Sequence, residues 1–361
     1  MQPRHLVVSI SGHGFGHVAQ TAPILNALHR LSPDLRITVR SSVANQHLRS
    51  RICAPFTHLQ SSGDIGMAMT SAVAVDVEKS RAAYQHFHSH WDESVSAEAR
   101  LLQELGADMV FSNVGYLPLA GAQRIGIPNA ALCSLNWYEI YRHYCGTATT
   151  GSAADQLIIA QIQTSYANAD AFLRTTPGMA MSGLDNLMAV APIAELGANR
   201  RDELNQLLQL PPDEKLLLVS MGGIQSRLAV EDWPSIKGVR YLVQKNWQVR
   251  HPDAIDFDDI PLSFNELLSS ADALLCKPGY GSFVEAACSR IPVLYLPRPD
   301  WPESPALISW LKQNGVSRLI STDELQNMAE ILDAIWCSPK PAAVIPDGAE
   351  QVARWLAGRL A

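Results

Sequence analysis

The sequence predicts an α/β protein of two doubly wound, Rossmann-like domains that face each other across a cleft. Its 361 residues are enough for two domains, since one domain takes roughly 150 residues. Short apolar runs bounded by Gly and Pro alternate with stretches of helical spacing, which is the pattern of parallel strands buried on both faces. The alternation stops near 190–198 and then restarts, which indicates a second sheet.

The first series of elements begins close to the N-terminus. Helical spacing follows the first strand and recurs through the long segment 78–105 and through 152–168. We therefore place a first domain at 1–190. Apolar runs within it predict strands at 5–11, 36–42, 109–114, 129–135 and 171–175.

The second series is as regular as the first and leads to a second domain at 191–347. The last residues, 348–361, predict an amphipathic helix that can pack back on the first domain. Ligands of doubly wound sheets bind beyond the carboxyl ends of the strands, so the cleft between the domains is the expected binding site. The series predicts a helix from about Asn199 and strands at 215–223, 273–282, 292–297 and 316–321.

The composition argues against several classes of protein. With 28 Lys and Arg against 35 Asp and Glu, the net charge of −7 disfavours binding of nucleic acid through a basic face. The six cysteines form no C-x-x-C pair, which indicates free thiols of a reducing compartment rather than a zinc ribbon. No run approaches the roughly 20 apolar residues of a membrane span, and the short apolar run at the N-terminus is unlike a signal peptide. We expect a cytoplasmic protein, with any membrane contact peripheral.

The first motif, SGHGFGHV, lies between a predicted strand and a predicted helix. Gly12, Gly14 and Gly16 allow a sharp turn and a close approach of a ligand to the backbone. The glycine spacing differs from a dinucleotide fingerprint and no acidic residue ends the next strand, so an NAD site is disfavoured. His13 and His17 are candidates for a base that accepts a proton from a hydroxyl. The alternative, in which the histidines only cap the helix or bind backbone, stays equally open.

The second motif, SMGGIQS, follows another predicted strand. Glycines at a strand end expose backbone N–H groups that can hold a diphosphate, and Gly222 and Gly223 are the candidates. Taken alone, an ordinary turn between a strand and a helix is the favoured interpretation of this segment.

The third motif, CKPGYGSFVE, runs from a strand into a helix. Gly279, Gly281 and Ser282 place N–H groups and a hydroxyl where an anion would bind. Lys277 adds a positive charge, and Glu285 could accept hydrogen bonds from vicinal hydroxyls such as those of ribose. In the structural alternative, Ser282 is the N-cap of the helix and Glu285 is its capping-box partner.

Two other patterns resemble metal sites. Asp256 and Asp258 form a D-x-D string, which we interpret as a solvated acidic loop. His86 and His90 have the i, i+4 spacing of a metal-binding helix, but no third ligand is evident, and we interpret them as part of a polar helix face. The sequence therefore predicts no metal site and no cofactor.

These motifs together resemble those of GT-B-fold glycosyltransferases that use a nucleotide-sugar donor. KPGYGSFVE matches the Gly, Ser and Glu positions of the donor-binding signature of plant-type UDP-glycosyltransferases, and it is similar to the corresponding segment of the lipid II-forming N-acetylglucosaminyltransferase. GHGFGHV with KPGYGS most closely resembles the glycosyltransferase-like N-terminal region of plant arabinokinases and their uncharacterised bacterial relatives. The similarity extends to PIAELGANRRDELNQLLQL and to the closing GAEQVARWL helix.

The resemblance implies that the first domain serves the acceptor and the second binds the donor. His17 occupies the position at which many relatives carry a histidine on the acceptor side, and His13 is the second candidate base. Gly222, Gly223 and Gln225 match the Gly-rich diphosphate loop of the donor domain.

Further donor contacts are implied in the rest of the second domain. Ile260 falls where the family's backbone reads the base. Ser282 is expected to contact phosphate and Glu285 the ribose, while Asp300 or Glu303 would contact the donor sugar. Lys277 stands where the plant-type signature has histidine.

The resemblance thus implies transfer of a sugar, without a metal, from a UDP-linked donor to an acceptor hydroxyl, with a histidine base in the cleft. Two alternatives stay open, an isomerase like the UDP-sugar 2-epimerases and a non-catalytic nucleotide-sugar-binding protein. The sequence identifies neither the acceptor nor the oligomeric state.

Overall fold

Two parallel sheets form the centre of the protein, one of seven strands and one of six. The structure, a computed structural model, describes residues 3–61, 63–146, 151–223 and 227–361. Both sheets carry helices on their faces, which confirms the predicted α/β class with two doubly wound units.

The first sheet has the strand order β3-β2-β1-β4-β5-β6-β7. Its strands are β1 (His5–Ile10), β2 (Arg36–Arg40), β3 (Thr57–Leu59), β4 (Met109–Asn113), β5 (Asn129–Cys133), β6 (Ala171–Thr175) and β7 (Leu187–Val190). The order reverses between β1 and β4, so the ends of these two strands open a crevice. Its helices are α1 (Gly16–Leu31), α2 (Asn45–Arg51), α3 (Val77–His88), α4 (Trp91–Leu105), α5 (Leu117–Ile125), α6 (Trp137–Cys145) and α7 (Ala153–Ala167).

The second sheet has the order β10-β9-β8-β11-β12-β13, and its reversal lies between β8 and β11. Its strands are β8 (Lys215–Ser220), β9 (Val239–Val243), β10 (Ala254–Asp256), β11 (Ala273–Cys276), β12 (Val293–Tyr295) and β13 (Ser317–Leu319). The helices that follow the first sheet are α8 (Arg201–Leu208), α9 (Phe264–Ser270), α10 (Tyr280–Cys288), α11 (Ser304–Asn314), α12 (Met328–Trp336) and α13 (Gly348–Leu360).

The central strands form because their side chains are apolar on both faces. All six residues of β1 are buried, as are all four of β11, and helices cover each of these strands. The segment 78–105, which was expected to be helical, forms two helices, α3 and α4. They separate at Ser89, whose hydroxyl donates a hydrogen bond of 2.7 Å to the carbonyl of His86 and so competes with the helical pattern.

The last helix, α13, packs against α1 of the first unit rather than on the second sheet. Val352, Ala353 and Leu356 belong to the same buried cluster as the residues of β1 and α1. The N–H of Gly348, at the start of α13, donates a hydrogen bond of 3.1 Å to the carbonyl of Pro192. Within the described parts of the chain, none of the helices combines the length and apolarity needed to cross a membrane.

Gly348→Ala should destabilise this docking. An added Cβ would lie 2.1 Å from the carbonyl oxygen of Ala191, so either α13 or the segment at 191 must shift. We expect a loss of about 1–3 kcal/mol in the free energy of unfolding, measured by denaturant titration. Gly358→Ala is the matched control in the same helix, because its Cβ would meet nothing within 4 Å. Equal stabilities of the two variants would contradict the close approach at Gly348.

Candidate functional site

A cleft of about 390 Å³ lies between the two sheets, at the carboxyl ends of their central strands. Three sequence motifs meet there although they are far apart in the chain. The cleft is lined by most of the sequence-predicted residues: His13, Gly14, Gly16, His17, Gly222, Gly223, Lys277, Gly279, Gly281, Ser282, Glu285 and Glu303.

The three glycines of the loop after β1 differ in what the structure requires of them. Gly12 lies against the loop after β2, where an added Cβ would be 2.0 Å from the hydroxyl oxygen of Ser42. Gly14 has a φ of +84°, a backbone conformation that favours glycine. Gly16 is the first residue of α1, and a Cβ there would meet nothing within 4 Å. The turn is thus built by Gly12 and Gly14, and of these only Gly14 lines the cleft.

His17 is held by a network at the end of β4. Its Nδ1 lies 2.9 Å from Oδ1 of Asn113, and the amide nitrogen of Asn113 donates to Gln20 and Thr21, each at 3.0 Å. An amide oxygen only accepts hydrogen bonds, so Nδ1 of His17 carries the proton and Nε2 carries the lone pair. This arrangement fixes the tautomer that a general base needs.

His13 has a more apolar environment. Its ring lies between Trp137 and Trp301, with centroid distances of 5.2 and 5.7 Å. Burial, with smaller contributions from nearby basic groups, lowers the pKa of His13 to about 3, so the ring is neutral near pH 7. Its Nε2 is buried and has no hydrogen-bond partner among the described residues.

Helix α10 begins at the cleft with its first turn uncapped by any described side chain. Gly279 is the N-cap residue and has no side chain that could bond the N–H groups that follow. Ser282 therefore lies inside the first turn, which rules out the capping box between Ser282 and Glu285. Free N–H groups at a helix N-terminus form a favourable site for an anion.

Gly281 serves the contact between the two units. An added Cβ would lie 3.2 Å from Cβ of Ala19 in α1, a separation tighter than most real contacts. Glycine at this position lets α1 and α10 approach each other across the cleft.

Glu285 is buried and forms an ion pair with the opposite unit. Its Oε1 accepts hydrogen bonds from Nη2 of Arg51 at 2.6 Å and from Nδ2 of Asn265 at 3.1 Å. Burial raises the pKa of Glu285, and the charge of Arg51 opposes that rise. No described residue donates to Oε2 of Glu285, so this oxygen is available to a ligand.

The glycine loop after β8 closes another wall of the cleft. Gly222 has a φ of +75°, and a Cβ added to Gly223 would lie 2.6 Å from the ring of Phe15 in the loop after β1. The expected contact of Gln225 with the diphosphate lies outside the described residues and stays a prediction.

Two basic side chains enter the cleft from neighbouring strand ends. Lys277 follows β11, and burial lowers its pKa to about 7, with the charge of Arg298 contributing. Arg298 follows β12, and burial lowers its pKa to about 10. The guanidinium carbon of Arg298 lies 4.0 Å from the centre of the Trp301 ring. Near pH 7 Arg298 is therefore protonated and Lys277 is partly protonated, and both contribute positive charge to this part of the cleft.

The two acids that follow β12 differ in position. Glu303 is buried in the cleft, where it accepts hydrogen bonds from the hydroxyl of Ser134 at 2.5 Å and from Nε1 of Trp301 at 3.1 Å. Asp300 is exposed and is not among the residues that line the cleft, and its carbonyl accepts a hydrogen bond from Tyr144. Of these two candidates for the donor sugar, Glu303 is therefore the one inside the cleft.

Ile260 lies behind the cleft wall. Its side chain packs in the core of the second unit. Its N–H donates to the carbonyl of Phe257 at 3.1 Å, and its carbonyl accepts from the N–H of Leu262 at 2.8 Å. A base contact through this backbone stays a prediction.

Neither of the two patterns that resemble metal sites assembles a cluster of ligands. Among the described residues, no group of three or more His, Cys, Asp or Glu side chains is placed to hold a metal ion. In the D-x-D string, the carboxylate of Asp258 instead accepts a hydrogen bond of 2.7 Å from the backbone N–H of Lys245.

Several residues of the site were not predicted from the sequence, among them Asn113, Arg298 and Arg51. Asn113 ends a buried strand, and a polar residue at that position is a signal that could have identified it. Arg298 lies within a segment that was singled out for its acids. Arg51 is the last residue of the short helix α2 and is not part of a recognisable sequence motif.

Comparisons with known proteins agree with this architecture. No family model matches the chain. The chain is 22% identical over 331 residues to an L-arabinokinase of Arabidopsis thaliana, covering 88% of this chain and 31% of that protein. It therefore spans about a third of the length of that relative. It is 25% identical over 295 residues to an uncharacterised glycosyltransferase of Methanopyrus kandleri, covering 74% of this chain and 80% of that protein.

Solved structures share the fold over the whole chain. The structure of LpCGTa in complex with UDP superposes with a TM-score of 0.63 at 14% identity, covering 99% of both chains. The calicheamicin glycosyltransferase CalG4 superposes with a TM-score of 0.61 at 16% identity, covering 100% of this chain and 94% of the other. The UDP-GlcNAc 2-epimerase of Methanocaldococcus jannaschii gives 0.56 at 11% identity, with 98% and 99% coverage. The chain therefore has the GT-B fold, and its expected resemblance to glycosyltransferases and to the arabinokinase is confirmed.

Proposed function

We propose that the protein is a glycosyltransferase that moves a sugar from a nucleoside diphosphate sugar to a hydroxyl of an acceptor, and that the nucleotide of this donor is UDP. The observation that carries the proposal is the meeting of the uncapped N-terminus of α10, the buried Glu285 and the oriented His17 in one cleft. The M. kandleri relative, which is named a glycosyltransferase, and LpCGTa, which was solved with UDP, support the same activity.

The donor is held by the second unit. The diphosphate binds the free N–H groups at the start of α10, near Ser282, and the charge of Lys277 adds to this attraction. The ribose hydroxyls donate to Oε2 of Glu285, the oxygen that neither Arg51 nor Asn265 occupies.

The acceptor is activated by the first unit. Nε2 of His17 takes the proton of the acceptor hydroxyl while that oxygen forms a bond to the anomeric carbon of the sugar. The bond between this carbon and the diphosphate oxygen breaks, and the diphosphate leaves with the electron pair. The helix N-terminus and Lys277 stabilise the negative charge that develops there, so we propose a transfer that needs no metal ion.

Replacing Glu285 with Ala should weaken binding of UDP by about 1–3 kcal/mol, because the ribose hydroxyls lose a buried acceptor. Calorimetric titration with UDP and UDP-sugars measures the effect. Glu203→Ala is the matched control, because Glu203 is an exposed carboxylate of the same unit that pairs with Arg200. Failure of the wild-type protein to bind any nucleoside diphosphate would contradict the proposed function, whereas unchanged binding by Glu285→Ala would contradict only the ribose contact.

A fold shared with an epimerase means that nucleotide binding alone does not establish transfer. Incubation with UDP-N-acetylglucosamine in the absence of an acceptor separates the two activities. Appearance of the 2-epimer would favour the isomerase, whereas products that require an acceptor would favour the transferase. Binding without any product would indicate a nucleotide-sugar-binding protein.

A further inference from the structure

The guanidinium of Arg298 is buried, and two of its three nitrogens have no hydrogen-bond partner among the described residues. The residue is 5% exposed, and within the described part of the chain its Nε and Nη2 atoms have no partner. Arg298 lines the cleft. Buried polar groups are almost always hydrogen-bonded, and an unpaired buried charge is costly, so this side chain calls for an anionic partner.

The acid that lies on the same turn does not fill this role. Glu303 accepts hydrogen bonds from Ser134 and from Trp301, and it forms none with the two unpartnered nitrogens of Arg298. The ring of Trp301 covers one face of the guanidinium at 4.0 Å, which leaves the N–H groups at its edge for a ligand.

Other basic groups converge on the same part of the cleft. Burial lowers the pKa of Lys277, and the nearby charge of Arg298 lowers it further. The charges of Arg298 and Lys277 also contribute to the lowered pKa of His13. Glu303 opposes the shifts of both cations, and Lys277, with a pKa of about 7, is only partly protonated near neutral pH. An anion bound beside these two groups would favour the protonated form of Lys277, so both can then contribute positive charge to its binding.

We propose that Arg298 and Lys277 form a subsite for an anionic group at the sugar end of the donor. The inference rests on the proposed function, because it assumes a nucleotide-sugar in the cleft. Two parts of a donor offer the required chemistry, namely the second phosphate of the diphosphate and the carboxylate of a uronic acid sugar. The planar fork of a guanidinium matches either group with two parallel hydrogen bonds. Arg298 lies on the turn that also carries Glu303, the residue expected at the donor sugar.

The test compares the binding of UDP, UDP-glucose and UDP-glucuronic acid by calorimetry. Arg298→Met removes the charge and keeps an apolar stem, and Arg298→Lys retains a charge without the fork. We expect Arg298→Met to weaken binding about 10- to 100-fold, with a smaller loss for Arg298→Lys. Arg318→Met is the matched control, because Arg318 is an exposed arginine of the same unit, paired with Glu324. Melting temperatures of the variants confirm that they fold.

Each outcome decides the proposal. A loss confined to UDP-glucuronic acid supports the subsite and assigns it to the sugar carboxylate. An equal loss for all three ligands supports the subsite and assigns it to the phosphate. Wild-type affinity of both Arg298 variants for all three ligands overturns the subsite and leaves the proposed function intact. A wild-type protein that binds none of the three overturns the proposed function and the subsite together.

Discussion

His17→Gln should lower the rate of sugar transfer about 100- to 10,000-fold, the range that general base catalysis contributes. Glutamine keeps a polar side chain of moderate size but offers no basic nitrogen. Nucleotide binding should be unaffected, because the proposed contacts to the donor come from the second unit. The measurement is release of UDP from a UDP-sugar in the presence of an acceptor, together with calorimetry for binding.

The comparison variant is His13→Gln, since both rings line the cleft. Among the described residues, a side-chain hydrogen bond to Asn113 at 2.9 Å orients His17, and Nε2 of His13 has no partner, so the loss at His13 should be the smaller one. The reverse order of the two losses would transfer the role of base to His13. Full activity of both variants would contradict a histidine base altogether.

Arg51→Met should lower the free energy of unfolding by about 3–5 kcal/mol, because it leaves the buried carboxylate of Glu285 without its cation. The ion pair is short, at 2.6 Å, and its side chains are 14% and 4% exposed. Arg30→Met is the matched control, since its pair with Glu350 is exposed and should contribute less than about 1 kcal/mol. Denaturant titration measures both variants.

The defect at Arg51 should also depend on pH. Burial holds the pKa of Glu285 above its usual value, and loss of Arg51 raises that pKa further. A carboxyl whose folded pKa is raised favours folding below its unfolded pKa and loses this contribution as the pH rises through the folded pKa. The deficit of Arg51→Met should therefore be greater at pH 8 than at pH 5. A deficit equal to that of Arg30→Met at both pH values would contradict the buried pair.

The strands predicted from the sequence are those with a continuous apolar run, such as β1 and β11. The edge strands β3 and β10 were missed because each is three residues long and includes a polar residue, so each lacks that run. The edge strand β7, LMAV, is apolar, but it is short and lies beside the segment near 190–198 at which the alternation stops. The more central β9 has an arginine in its sequence VRYLV, which interrupts the apolar pattern.

In the site, residues that lie within one short segment could be predicted, whereas contacts between residues far apart in the sequence could not. Glycine turns at strand ends and Glu285 could be found because their chemistry lies within one short segment. The partner of Glu285 could not, because Arg51 is 234 residues away in the chain and meets it only when the two units face each other. Similarly, the pairing of Glu303 with Ser134 joins residues 169 positions apart.

The return of α13 to the first unit has a consequence for motion. The polypeptide crosses between the two units twice, near Ile193 and again near Asp347. An antiparallel β-bridge pairs these two residues, so the two crossings are adjacent. One connecting segment would allow the two units to rotate relative to each other about several axes. Two adjacent connecting segments restrict that rotation to a single hinge axis. The cleft should therefore open and shut by rotation about one axis through both crossings, which keeps His17 aligned with the first turn of α10 at each closure.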